Sequence, residues 1–176
     1  MAVEPRFPRN YYDFFEIPHQ LSLDPQDLEK RFYALSRKWH PDRFARASAE
    51  ERQAAIDASA VLNDGYRTLR DPILRAQFLL KENGFDIGEQ QSKDTPPELL
   101  EEMFELNMAL EEADETAIAG ARKRFEAMRA EVDAELLGQF AQYDRGQDRE
   151  TLANVRSLLN RRKYIQNLVQ KTACSR

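Results

Sequence analysis

Wherever apolar residues cluster in this chain they recur three or four positions apart, and nowhere do they alternate one with the next. That pattern predicts amphipathic helices and leaves no convincing β-strand. The clearest case is Leu28, Phe32, Leu35 and Trp39, spaced four, three and four along one helical face. Asp24 supplies a capping carboxylate and Pro25 suits the first helical position, where a missing N–H costs nothing. The helix is expected to stop at Trp39, because the residue before Pro41 is pushed out of the α region. Only 6 glycines and 8 prolines occur in 176 residues, which favours long helices over a turn-rich sandwich.

The same signals divide the rest of the chain. Asn10 is expected to cap a short helix that carries Tyr11, Tyr12, Phe14, Phe15 and Ile17 and ends at Pro18. A third helix is predicted from about Ser48 to Arg70, with Leu62, Gly65, Tyr66 and Leu69 on one face and Gly65 leaving room for a close neighbour. Asp71-Pro72 restarts the chain in a fourth helix, and Asn83-Gly84 stops it. From Phe85 to Pro97 the composition changes to glycine, glutamine, serine and proline, predicting a linker. Three further helices follow, over about 98–113, 116–143 and 148–172, with a turn at Asp144-Arg145-Gly146. Leu152, Val155, Leu158 or Leu159, Arg162, Ile165 and Val169 are expected on the inner side of the last. The expected fold class is all-α, a helical hairpin domain over 10–84 followed by a three-helix bundle over 98–173.

Charge excludes several functions. The net charge of -5 gives no footprint for bulk nucleic-acid binding. No apolar run approaches the length of a membrane span, and the first ten residues lack the apolar core of a signal peptide. Together these predict a soluble intracellular protein. With one cysteine, Cys174, and two histidines, His19 and His40, neither an internal disulfide nor a Cys- or His-rich metal site is expected, and no cofactor. His19 is expected at the surface. No phosphate-binding glycine loop or nucleophile–base pattern occurs, so no catalytic residue is expected and the chain is not expected to be an enzyme.

The average charge hides a segregation. From residue 30 to 46 there are six basic side chains and one acidic one. Lys30, Arg31, Arg37, Lys38 and Arg43 belong to this stretch, and His40-Pro41-Asp42 lies inside it. Proline stiffens such a loop, the aspartate offers a charge-assisted acceptor, and the imidazole both donates and accepts. Taken singly, a basic helix face is solvated and a His-Pro turn ends a helix. Taken in order, with Leu62–Leu69 and Asp71–Leu80 behind them, residues 10–82 resemble a J-domain. That resemblance implies that the His40-Pro41-Asp42 loop and the basic residues around it dock on a heat-shock chaperone ATPase of the DnaK/HscA type and accelerate its ATP hydrolysis.

Between Glu98 and Glu115 there are eight acidic residues and no basic one. Leu99, Met103, Leu106 and Leu110 form one apolar stripe, expected to be core. Leu100, Phe104 and Met108 form another at i, i+4 spacing, beside Glu101, Glu105 and Glu112. Periodicity leaves open whether the second stripe widens the buried face or forms an exposed patch for a partner. The order of a J-domain, a linker and this acidic helix is similar to the HscB family of iron–sulfur cluster co-chaperones. The matching residues are Asn63, Tyr66 and Leu69; Pro72, Arg75, Ala76, Leu79 and Leu80; Phe104-Glu105-Leu106-Asn107; and Lys163-Tyr164. Glu101 and Met108 depart from the residues usual in that family. The resemblance implies that the bundle binds an IscU-type cluster scaffold, with Leu100, Phe104, Glu105, Met108, Glu112 and Tyr164 as contacts. The absence of a cysteine-rich leader implies the bacterial, cytoplasmic form. The residues alone also allow a J-domain co-chaperone with another client, or a helical adaptor with no chaperone link.

Overall fold

Each helix start carries its own chemical reason. In the computed structural model, which describes residues 10–86, 97–111 and 114–174, all regular elements are helical. Helix α1 (Tyr11–Phe15) is capped by Asn10, whose side chain accepts from the Tyr12 amide. Helix α2 (Pro25–Trp39) begins on Asp24 with proline in its first turn. Helix α3 (Ala49–Arg70) opens with a capping box in which Ser48 and Glu51 satisfy each other's amides. Helix α4 (Pro72–Glu82) is capped by Asp71, which accepts from the Ile73 and Leu74 amides. Gly84, at φ +75, lies just beyond its end.

The chain divides into two compact units, Met1–Asn83 and Gly84–Arg176. In the first, α2 and α3 form an antiparallel hairpin. Phe32 stacks on Tyr66 with ring centroids 4.3 Å apart, and the Ser59 hydroxyl reaches the Trp39 carbonyl at 3.1 Å. Helix α1 presses on α3 at Gly65, where an added Cβ would lie 2.9 Å from Phe15 and 3.1 Å from Tyr11. Tyr11 also stacks on Phe78 of α4 at 4.6 Å. The core comprises Tyr12, Phe15, Leu21, Leu28, Leu62, Leu69, Leu79 and Leu80. Arg75 is buried too. Its guanidinium donates to the carbonyls of Leu21 and Leu69, fastening the α1–α2 loop to the end of α3. Of the α2 stripe only Leu28 is buried; Phe32, Leu35 and Trp39 are half-buried as the hairpin thins towards its loop.

In the second unit α5 (Pro97–Glu111), α6 (Glu115–Gly146) and α7 (Arg149–Cys174) run up, down and up. Helices α6 and α7 share the core of Phe125, Val132, Leu136, Phe140, Leu152, Val155, Leu159, Ile165 and Leu168. Leu159 is buried and Leu158 only half so, which settles the inner position between them. Arg162 faces α6 as a charged group and pairs with Asp133 at 2.5 Å. The Asp144-Arg145-Gly146 turn is a correction. The helix runs through all three, and the chain reverses at Gln147, left-handed at φ 49, whose amide donates to the Tyr143 carbonyl. Asp148 then caps α7 by accepting from the Thr151 amide and hydroxyl at 2.7 and 2.8 Å.

Most of the 85–97 linker lies outside the described residues, as do Glu112 and the side chains of Leu99, Met103 and Cys174. Among the described residues no helix is long and apolar enough to cross a membrane.

Candidate functional site

Two surfaces bring together the residues singled out above, one in each unit. The first lies at the tip of the α2–α3 hairpin. His40 ends α2 in an extended conformation, and Pro41–Phe44 form one short 3-10 helix rather than an open loop. The Asp42 amide donates to His40 Nδ1 at 3.3 Å. That bond requires an unprotonated Nδ1, so the neutral ring carries its proton on Nε2. The Asp42 carboxylate is almost wholly in solvent and lies 3.6 Å from the same nitrogen.

Two ties hold this turn. Ser59 caps the Trp39 carbonyl from α3. Arg43 folds back to donate to the Arg37 carbonyl at 3.0 Å. Trp39 and Phe44 lie nearly parallel, 6.1 Å apart, bracketing His40-Pro41-Asp42 with apolar rings. The basic residues separate by role. Lys30, Arg37, Lys38 and Arg43 are exposed, with Lys38 over the Trp39 ring at 5.5 Å. Arg31 is engaged within the fold: it pairs with Asp27 at 2.8 Å and donates to the Phe15 and Glu16 carbonyls at the end of α1. His19 is exposed, bonded to Asp13 at 2.9 Å and stacked on Tyr12.

The second surface is the outer side of α5. Leu100 is 44% exposed, Phe104 67% and Met108 43%. The second apolar stripe is therefore a solvent-facing patch, and Glu101 and Glu105 border it, also exposed. The reason is geometric: at about 100° per residue these three occupy an arc roughly opposite Leu106 and Leu110, which face α6. Leu106 and Leu110 are themselves only half-buried, because a cavity of about 330 Å³ opens between them and Ala117, Gly120, Ala121 and Phe125 of α6.

Tyr164 stands half-buried on α7, its hydroxyl accepting from the Asn107 amide nitrogen at 2.5 Å. Burial first, and then the charge of Glu102, push the phenol above its ordinary value. Asn107 Oδ1 accepts from Lys171 at 2.8 Å, and Glu102 lies 3.6 Å from Arg161. Sequence reasoning named Tyr164 and quoted Asn107, but missed Lys171, Arg161 and Ser59, whose partners lie far along the chain. Among the described residues no group of three or more His, Cys, Asp or Glu side chains is placed to hold a metal ion.

Comparison with known proteins bears on both units. Residues 95–173 match the family model of the HSCB C-terminal oligomerisation domain. The chain is 38% identical over 138 residues to a co-chaperone protein HscB homolog of Vibrio cholerae, spanning 76% of this chain and 81% of that one. Its structure is similar to the chaperone HscB of Vibrio cholerae, with TM-score 0.66, 32% identity and coverage of 93% and 95% of the two chains. It is also similar to the crystal structure of the human co-chaperone protein HscB, with TM-score 0.73, 27% identity and coverage of 98% and 84%.

Proposed function

The chain belongs to the HscB co-chaperone family, and from that premise we propose that it brings an iron–sulfur cluster scaffold of the IscU type to a chaperone ATPase of the DnaK/HscA type. In this reading it acts by binding, without catalysis of its own. The observation that carries the proposal is the exposure of Leu100, Phe104 and Met108 on α5. Burying such a patch against a partner removes apolar surface from water at a gain of about 25 cal/mol per Å². The carboxylates beside it select a partner whose apolar groove has a basic rim, since like charges there cost several kcal/mol.

The chaperone end works by preorganisation. Pro41, the Ser59 and Arg43 ties and the flanking rings hold His40 and Asp42 before any partner arrives, so little ordering entropy is lost on docking. His40 presents an Nε2–H donor and Asp42 an exposed carboxylate acceptor. Lys30, Arg37 and Lys38 supply the attraction that steers an acidic chaperone surface, weakening with salt. With both sites on one chain, the bound scaffold reaches the chaperone as an intramolecular event at raised effective concentration. The test is ATPase stimulation with and without scaffold. Stimulation unaffected by scaffold would favour a co-chaperone with another client.

A further inference from the structure

On the helix that carries the apolar patch, the described inward side chains are only partly packed. Leu106 and Leu110 are half-buried above a cavity of about 330 Å³. Among the described residues, polar contacts tie α5 to α7: Glu102 to Arg161, and Asn107 to both Tyr164 and Lys171. Asn107 is the hub, engaging the Tyr164 hydroxyl through its amide nitrogen and the Lys171 ammonium through its amide oxygen. It also lies on the same side of α5 as the patch. Two turns along the helix it lies about 20° from Leu100, and about 60° from Phe104. Any roll of α5 that lengthened the Asn107–Tyr164 bond would therefore swing the patch by the same angle.

We propose that Asn107 is a positioning residue for partner binding. With Tyr164 and Lys171 it sets the roll of α5, and so keeps Leu100, Phe104 and Met108 aimed at the partner. This rests on the reading of that face as the scaffold site. The Tyr164 hydroxyl then also acts on the site through Asn107.

The test is scaffold affinity by calorimetry on the full chain, well below its melting temperature. Tyr164→Phe is expected to weaken binding about five-fold, the worth of one hydrogen bond, and Asn107→Ala, which also loses the Lys171 contact, at least as much. The double variant should be no weaker than Asn107→Ala alone, because Tyr164→Phe removes a bond that Asn107→Ala has already broken. Asn107→Asp should stay within about two-fold of the parent, since a carboxylate can accept from the Tyr164 hydroxyl and pair with Lys171. Phe104→Ala should lose less affinity in the Asn107→Ala background than in the parent, a coupling that general destabilisation would not produce. Unchanged affinity in Asn107→Ala and Tyr164→Phe, or additive losses in the double variant, would overturn the proposal. If Asn107→Ala fails to fold, Tyr164→Phe and Asn107→Asp decide the matter between them. If Phe104→Ala alone leaves affinity intact, the scaffold reading falls and this inference with it.

Discussion

The hydroxyl of Ser59, midway along α3, donates to the carbonyl oxygen of Trp39, the last residue of α2, at 3.1 Å. One hydrogen bond across the hairpin thus fixes the peptide that leads into His40. Ser59→Ala is expected to cost about 1 kcal/mol of stability. It should also weaken chaperone stimulation several-fold while leaving scaffold affinity unchanged. A thermal melt and a steady-state ATPase assay on the same preparation check both parts; full stimulation would show that the turn needs no such tie.

Gly65 gives a prediction about the fold alone. Replacing a helical glycine by alanine ordinarily favours the helix by about 1 kcal/mol. Here the new Cβ would lie 2.9 Å from Phe15, which is fully buried and cannot swing aside. Overpacking of this kind costs about 1–3 kcal/mol, so Gly65→Ala should lower stability in urea denaturation. A rise in stability would mean that α1 moves away freely.

Phe104 is the inverse case. At 67% exposure it contributes little to folding, and Phe104→Ala should change stability by no more than about 0.5 kcal/mol. As the centre of the proposed face it should cost at least about 2 kcal/mol of scaffold affinity, roughly 30-fold. Calorimetric titration beside a melt separates the two quantities. Equal affinity would remove α5 from the interface.

Acid stability tests the start of α7. The Thr151 amide, and then its hydroxyl, hold the Asp148 carboxyl below the ordinary aspartate range. A folded pKa below the unfolded one adds stability that is complete above about pH 4 and is lost as pH falls through the folded value. Asp148→Asn keeps an oxygen acceptor but not the charge. Its melting temperature should therefore fall less steeply than the parent's as pH drops from about 6 to about 2. Parallel curves would count against the linkage.

How far the sequence was legible depended on how local the deciding interactions are. Asn10, Asp24, Asp71 and the Pro25 and Pro72 starts are contacts within one turn, and the helices of the first unit begin where these residues predict. Gly146 misled for the same local reason. Glycine signals a helix stop, yet it is Gln147, one residue later, that adopts the left-handed conformation. The two stripes of α5 were visible, but periodicity carries no information about which neighbour covers which side, so the exposure of Phe104 needed the packing of α6 and α7. Ties across 20, 57 and 64 residues, Ser59 to Trp39, Asn107 to Tyr164 and Lys171 to Asn107, leave no periodic trace. The basic stretch was legible as charge, but not the engagement of Arg31 with the end of α1.

The most direct measurement is steady-state ATP hydrolysis by a DnaK/HscA-type chaperone, with the full chain present and an IscU-type scaffold added or withheld. The parent chain should stimulate, and scaffold should raise that stimulation beyond the sum of the separate effects. His40→Gln should abolish stimulation at unchanged scaffold affinity. Phe104→Ala should keep the scaffold-independent part and lose the synergy. Stimulation that survives in His40→Gln, or an equal loss of scaffold affinity in that variant, would contradict the account of one chain with two separate partner sites.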